Sequence, residues 1–570
     1  MLPRPLHPNQ AESTRSRNAF PKYGTVLNVA IPVRQFDRSG HSWRPLLGPV
    51  ALYLILACAL LPFHRYMVPP DATAYITVAR HYAQGQWSEA INTNWSPVFS
   101  WLMVPFVEAG VRHVLPANLV AILSGVFLLY CFERLARGFQ LDPVTRVLVL
   151  YTAAFMVAVF ALLRPGPDVL TTAILLSYFR IVCASDYPAR KRTGLVCGCL
   201  GAAAFLTKGY TFYFFFVHFV VMNAWFWWQA GRDARFSIMR QFASGMIAFL
   251  LVSAPWIIAM SAKAGKPSLG TTGAWNYRLF GPDSPGYPQY YHLIPPPTPH
   301  GFSMWDQPAP SLLPAWSPFQ SVRNFIHQAR LIAVNSRRLV EFVINASMFS
   351  LAGLFAYVIW AFGSPGVKHY GWFPVLFTTL LLPAGYSLVI MQDRYLWSID
   401  LLMFLAGAAV VQVSARPLTV TAQRIAISVF VLSFVLLPLR QLVGQRNSGK
   451  ALYMESQVVR ERFGAVSRLA GCGNWEYTAN IAFSLGATFY GSTGTTAAEA
   501  PVMYEANPDA TPATEPAPAR PDEIARSLRE NRIDSYLVWP SCRTLPPPDI
   551  LTNEITVPGP TPFKLYRVVR

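Results

Sequence analysis

The chain carries a carboxylate in the run Pro69-Pro70-Asp71-Ala72-Thr73-Ala74-Tyr75, which continues through Ala79-Arg80 to Gly85 just after the first long apolar stretch. Two prolines before a short amphipathic segment predict a helix start, where an Asp can cap the backbone N–H groups or, facing water, take a proton from a bound hydroxyl. Acids are scarce: 28 Asp plus Glu in 570 residues, 13 of them beyond residue 440. Three further groups stand at comparable places. Phe205-Leu206-Thr207-Lys208-Gly209-Tyr210 sets a lysine at a junction of two apolar runs, where it can snorkel or hold a lipid phosphate. Gln392-Asp393-Arg394-Tyr395 reads as a local surface ion pair or an anion contact, and Asp400, about two turns into the next apolar run, calls for a cavity or a partner. Asp168, after Arg164-Pro165-Gly166-Pro167, begins another run, where an acid complements the helix dipole.

The elements that must position these groups are membrane spans. The composition is 53% hydrophobic and only 13% charged, and runs of about twenty apolar residues, long enough for a hydrocarbon core of roughly 30 Å, recur between residues 45 and 440. The predicted spans are 45–64, 116–133, 146–163, 168–184, 193–207, 209–229, 238–260, 339–362, 371–391, 395–415 and 425–440. Basic connections at Arg134/Arg137/Arg146, Arg190-Lys191-Arg192 and Arg232/Arg235/Arg240 mark one side as cytoplasmic. Parity then makes Trp95 to His113 an interfacial helix and puts all four groups on the opposite, outer face. Residues 1–44, with seven Lys/Arg against two acids, read as a disordered basic cytoplasmic tail.

Spans 45–440 thus form one membrane domain with outer loops 65–115 and 261–338. The second loop has eleven prolines between Pro282 and Pro318, which excludes a long regular helix there, and seven Lys/Arg against two acids. Its Arg278, Arg337 and Arg338 point to an anionic partner. Residues 441–570 predict a small extracytoplasmic α/β domain: helical patterns at 458–469 and 522–531, extended ones at 535–539 and 563–568, and a flexible Ala/Pro/Thr-rich insertion at 497–520. In this tail 13 basic residues balance 13 acids, so the net charge of +19 lies elsewhere, and it is assigned to topology and lipid phosphates rather than nucleic acid. Cys472 and Cys542 are the two cysteines of that domain, and a disulfide between them is left open.

Taken together, these segments resemble the GT-C glycosyltransferases, in particular the bacterial polyprenyl-phosphate-sugar-dependent branch of protein O-mannosyltransferases and lipid A aminoarabinose transferases. The resemblance runs over residues 45 to about 440. It rests on Asp71 with Tyr75 and Ala79-Arg80, on Asn94-Trp95-Ser96-Pro97, Pro167-Asp168-Val169-Leu170, Leu206-Thr207-Lys208-Gly209, Ala254-Pro255-Trp256 and Asp393-Arg394-Tyr395-Leu396. It implies Asp71 as general base and Lys208 as a donor-phosphate contact; Arg394 and the loop arginines Arg278, Arg337 and Arg338 are the further cations available to a departing phosphate. Tyr75, Arg80, Trp95, Asp168, Asp393, Tyr395 and Asp400 are the remaining candidates for the cleft. The expected activity is inverting transfer of a hexose or pentose from a polyprenyl-phosphate donor to a hydroxyl of a protein, lipid or glycan, at the outer face of a bacterial cytoplasmic membrane. Many members carry a second acid after the catalytic Asp; here it is Ala72, so a divalent metal and any cofactor stay open. The competing functions are a transporter or flippase of a lipid-linked or anionic solute, which would call for internal repeats, and a membrane sensor.

Overall fold

The computed structural model describes residues 44–363, 370–496, 499, 507–509 and 519–569. The basic N-terminal tail lies outside them but for Arg44. Helices dominate up to Gly444: α1 (Arg44–His64), α2 (Pro70–Ala83), α3 (Trp87–Ala90), α4 (Pro97–Glu108), α5 (Leu115–Ala136), α6 (Pro143–Leu163), α7 (Asp168–Val182), α8 (Thr193–Thr207), α9 (Thr211–Gln229), α10 (Arg232–Ala264), α11 (Thr272–Leu279), α12 (Val322–Ala346), α13 (Ser350–Phe362), α14 (Trp372–Ser387), α15 (Trp397–Ser414) and α16 (Val420–Gly444).

Seven of the described helices are long and apolar enough to cross a bilayer, and α12 with α13 would make an eighth if one span can bend by 94°. The expected count of about eleven spans is therefore not confirmed. The predicted span 339–362 is broken at Ser347–Phe349, and α7, α8 and α14 have only 15, 15 and 16 residues. At 1.5 Å per residue, fifteen residues reach about 22 Å, short of the roughly 30 Å core. Each of these short helices has one end at the same place: α7 begins at Asp168, α8 ends before Lys208, and α14 ends just after Tyr386. Their shortness leaves room at one end of the bundle. α4, with 12 residues, is too short to span.

Close helix approach in the bundle depends on glycine. A Cβ on Gly194 or Gly198 of α8 would collide with the Gln241 or Gly245 carbonyl of α10. Small residues give such backbone proximity where no hydrophobic effect drives helices together. Gly198 of Cys197-Gly198-Cys199 belongs to this seam, while Cys197 is buried and Cys199 is exposed.

Beyond α16 come α17 (Lys450–Arg462), β1 (Arg468–Cys472), α18 (Trp475–Leu485), β2 (Thr488–Thr493), α19 (Pro521–Glu530), β3 (Ser535–Val538), β4 (Leu551–Val557) and β5 (Phe563–Val568). The sheet order is β2-β1-β3-β5-β4, with β1 parallel to β2 and β3 and the remaining pairs antiparallel. The helix expected over 458–469 stops at Arg462, because Gly464 turns the chain at φ +81° and Arg468 enters the sheet. Cys472 and Cys542 form a disulfide. Most of the insertion 497–520 lies outside the described residues. The part that is described is held: Asn507 donates to the Gly281 carbonyl and Asp509 pairs with His327 of α12 at 2.7 Å.

The α/β domain shares a core with the membrane portion. Val68, Ile76, Phe99 and Met103 from α2, α4 and their approach pack in one cluster with Tyr290 and Phe302 of the outer loop and with Leu469, Trp475, Phe483 and Phe489. That continuity fixes α2, and with it Asp71.

Candidate active site

Four charged side chains from four separate segments meet at that end of the bundle. Asp71 is the second residue of α2. It does not cap the helix: Pro69 occupies the cap position, with no side-chain hydrogen bond there. Instead its carboxylate accepts from Arg394 Nη2 at 2.6 Å and from the Trp305 indole N–H at 3.3 Å. Asp168, the first residue of α7, pairs with Lys208 and stands 3.6 Å from Arg394 Nη1. Lys208 leaves α8 in an extended conformation, and its ammonium lies 4.1 Å from the centre of the Tyr395 ring. Burial pushes the Lys208 ammonium below its ordinary pKa, while Asp168 acts in the opposite direction.

Arg394 sits on a single 3₁₀ turn, Asp393–Tyr395, between α14 and α15. The Gln392 amide oxygen accepts from its Nε at 2.8 Å, and Asp393 accepts its backbone N–H at 2.7 Å. Both orient the guanidinium toward the two carboxylates. Behind it Tyr395 stacks on Tyr386 at 4.2 Å, and Tyr386 lies against Tyr210 at 3.8 Å.

These groups open on a cavity of about 570 Å³ that Asp71, Tyr75, Trp95, Asp168, Lys208, Arg394 and Tyr395 line together. Phe205, Tyr213, Trp256 and Met260 line it as well, as do the polar Thr93, Asn94, Ser96, Thr272, Asn276 and Gln392. The cavity therefore combines four charges with apolar and aromatic side chains, a combination that suits a phosphate on a hydrocarbon tail.

Other candidates lie elsewhere. Arg278 does not face the cavity, because its guanidinium donates to the Pro310 and Leu313 carbonyls and braces the outer loop. Arg337 points outward on α12, paired with Glu341 at 2.7 Å, and neither it nor Arg338 lines the cavity. Arg80 lies over the Phe483 ring at 5.1 Å, against the α/β domain. Asp393 serves the turn rather than the cavity, and Asp400 is buried inside α15. As for a metal, no group of three or more His, Cys, Asp or Glu gathers among the described residues, and the two carboxylates of the site already bind cationic side chains.

The sequence reading missed Trp305 and what holds it. Ser303 and Asp306 form a capping box around the 3₁₀ turn that carries Trp305, and Asn92 donates to the Asp306 carbonyl at 2.7 Å. The Trp95 indole donates to the Trp305 carbonyl at 3.1 Å. The Ser303-Met304-Trp305-Asp306 spacing is the one local signal that marked this turn.

No family profile and no curated protein sequence matches the chain. Among solved structures it is similar to ArnT from Cupriavidus metallidurans bound to undecaprenyl phosphate, with TM-score 0.56 and 12% identity over 93% of this chain and 98% of that one. The apo form of that protein gives TM-score 0.55 and 14% identity, over 92% and 98% of the two chains. The apo oligosaccharyltransferase of Archaeoglobus fulgidus gives TM-score 0.50 and 10% identity, over 88% of this chain and 70% of that one. The chain shares the fold of these proteins, and its own C-terminal segment forms a small sheet domain.

Proposed function

We propose that this chain is an integral-membrane glycosyltransferase that moves a sugar from a polyprenyl-phosphate donor to an acceptor hydroxyl at the outer face of a bacterial cytoplasmic membrane. The observation that carries the reading is the convergence of Asp71, Lys208 and Arg394 on one cavity that apolar and aromatic side chains also line. The fold and the undecaprenyl phosphate carried by one structural neighbour support it.

In the proposed reaction the acceptor oxygen attacks the anomeric carbon from the face opposite the phosphate. Its proton passes to Asp71, the bond between the anomeric carbon and the phosphate oxygen breaks, and the configuration inverts. The lipid phosphate leaves with one more negative charge, which Lys208 and Arg394 stabilise. Arg394 has a second task. Before substrate binds it is paired with Asp71 and occupies one carboxylate oxygen. A donor phosphate that draws the guanidinium away frees Asp71 as the reactants assemble.

Purified protein in nanodiscs, given polyprenyl-phosphate-linked hexoses and pentoses, should transfer sugar, and Asp71→Asn should transfer none while unfolding at a similar temperature. Wild-type turnover in Asp71→Asn would remove the base assignment. Accumulation of solute or intact lipid-linked sugar across vesicles, without transfer, would support the transporter reading instead.

A further inference from the structure

α12 ends at a bend of 94° from α13. α13 belongs to the bundle: it packs along α15, with Gly353 against the Gly407 backbone and the Phe430 ring of α16. Both α15 and α16 are long and apolar enough to cross a bilayer. α12 therefore runs nearly at right angles to a helix of the bundle, the attitude of a helix that lies along a membrane surface rather than through it. It sits at the cavity end. Asn335 donates to the Ser387 carbonyl at 3.1 Å and accepts the Met391 N–H at 3.0 Å, and Gln328 donates to the Leu388 carbonyl at 3.0 Å. One face of α12 thus braces the segment that leads from α14 to Arg394.

The other face is apolar and yet exposed. Val322, Phe325, Ile326, Val340 and Ile344 share one side of the helix and are between 42% and 76% exposed. A helix at a boundary between protein and water presents polar residues outward instead. Along one edge of this stripe Arg323, Arg330 and Arg337 recur every seven residues, a spacing that drifts only about 20° per step around an α-helix. All three side chains are more than half exposed, and they pair at the surface with Asp283, Asp509 and Glu341. Exposed pairs of this kind add little to stability, so a phosphate oxygen can take the place of the acid. Residues 261–338 carry seven Lys/Arg against two acids, and four of the seven lie in α12.

An apolar stripe edged by arginines suits a bilayer surface, where the stripe enters the acyl boundary and the guanidinium groups meet headgroup phosphates. The stripe is also continuous with the flank of the bundle, since Met348 and Phe349 at the bend and Phe355 and Ile359 of α13 are exposed in turn. We infer that α12 is an interfacial helix, seated by its exposed face in the leaflet at the cavity end, with Arg323, Arg330 and Arg337 on the phosphates of anionic phospholipids. This seating is independent of the reaction performed in the cavity.

The test is the depth of a fluorophore on α12 in the full-length protein in nanodiscs. Ile326→Cys and Val340→Cys are labelled separately, with the exposed Cys58 and Cys199 replaced by Ser, and Glu530→Cys on exposed α19 serves as the reference. Lipids with a nitroxide near the headgroup should quench either α12 label about twofold more than lipids with a nitroxide at the chain end. Aqueous iodide should quench the reference label alone. Iodide quenching of both α12 labels without lipid quenching would place the stripe in water and overturn the inference. Stronger quenching from the chain end would make α12 and α13 one continuous span, and would overturn it too. Adding phosphatidylglycerol to phosphatidylcholine discs should raise the shallow quenching about twofold, and Arg323→Gln/Arg330→Gln/Arg337→Gln should abolish that rise. No rise in the wild-type arginine background, or an undiminished rise in the triple variant, would remove the anionic partner. Unfolding temperatures identify a triple variant that has misfolded; Arg323→Gln and Arg337→Gln singly should then each reduce the rise.

Discussion

Arg394 and Lys208 each have a carboxylate partner, yet they are not equivalent. Lys208 faces Asp168 and lies over the Tyr395 ring, a compact cation held between an anion and an aromatic face. Arg394 bridges Asp71 and Asp168 through two different nitrogens, so its fork sets the spacing of the two carboxylates. Replacing Lys208 by Ala removes one cation from the departing phosphate and should lower turnover by about a hundredfold. Wild-type kinetics in that variant would leave the ammonium with no role in transfer. Arg394→Lys keeps the charge but cannot span both carboxylates, so turnover should fall more than donor affinity, as kcat and KM measured separately would reveal. Trp305→Phe removes one neutral donor from Asp71, a loss of about 1 kcal/mol, and should cost roughly fivefold in kcat/KM. A fall of about a thousandfold would mean that the indole does more than orient the base.

At the scale of elements, the site depends on where helices stop and how closely they pass. Lys208 is positioned by α8, which is locked to α10 through Gly194, Gly198 and Gly245. Gly198→Leu places a side chain against the α10 backbone and should lower both the unfolding temperature and transfer, although Gly198 does not line the cavity. Unchanged stability would mean that the α8–α10 seam can spread. The turn that carries Trp305 has a pH dependence of its own. Burial raises the Asp306 carboxyl from 3.8 to about 7, against the opposing backbone N–H groups of Ser303 and Phe302 and the charge of Arg80. Between those values the folded loop keeps a proton that the unfolded loop has released, so the loop loses stability as pH rises from about 4 to 7. Amide exchange at Phe302 and Ser303, corrected for intrinsic rates, should be better protected at pH 5 than at pH 8. Asp306→Asn should flatten the difference; a persistent difference would assign the pH response to another group.

For the whole molecule, the shared core of α2, α4, the 261–338 loop and the α/β domain ties that domain to the helix that carries Asp71. No described residue of that domain lines the cavity that holds Asp71. Even so, deleting residues 445–570 strips the partners from Val68, Ile76, Phe99 and Met103 and should release the helix that carries Asp71. The truncated protein is expected to be unstable and to transfer no sugar; full transfer by the shortened chain would show that the bundle alone holds α2.

Much of this was legible along the chain, and the division between what was and what was not has a physical cause. Apolar runs of bilayer length, basic connections and prolines before Asp71 act within a few residues of themselves, so composition and spacing sufficed for a helical membrane protein with chemistry at one end. Hydropathy did not show how short α7, α8 and α14 are or that the chain breaks at Ser347–Phe349, because it records apolarity rather than where a helix stops. Which charges meet was beyond it: Arg394 and Asp71 are 323 residues apart, and nothing local separates Arg394 from Arg278 or Arg337. Only packing directs one arginine to the base and turns the others to a carbonyl or a surface glutamate. By itself the sequence determined the medium, the ends of several helices and the supply of charged groups. The tertiary structure decided the partners, because a contact between distant segments depends on the packed bundle and not on the pattern of either segment.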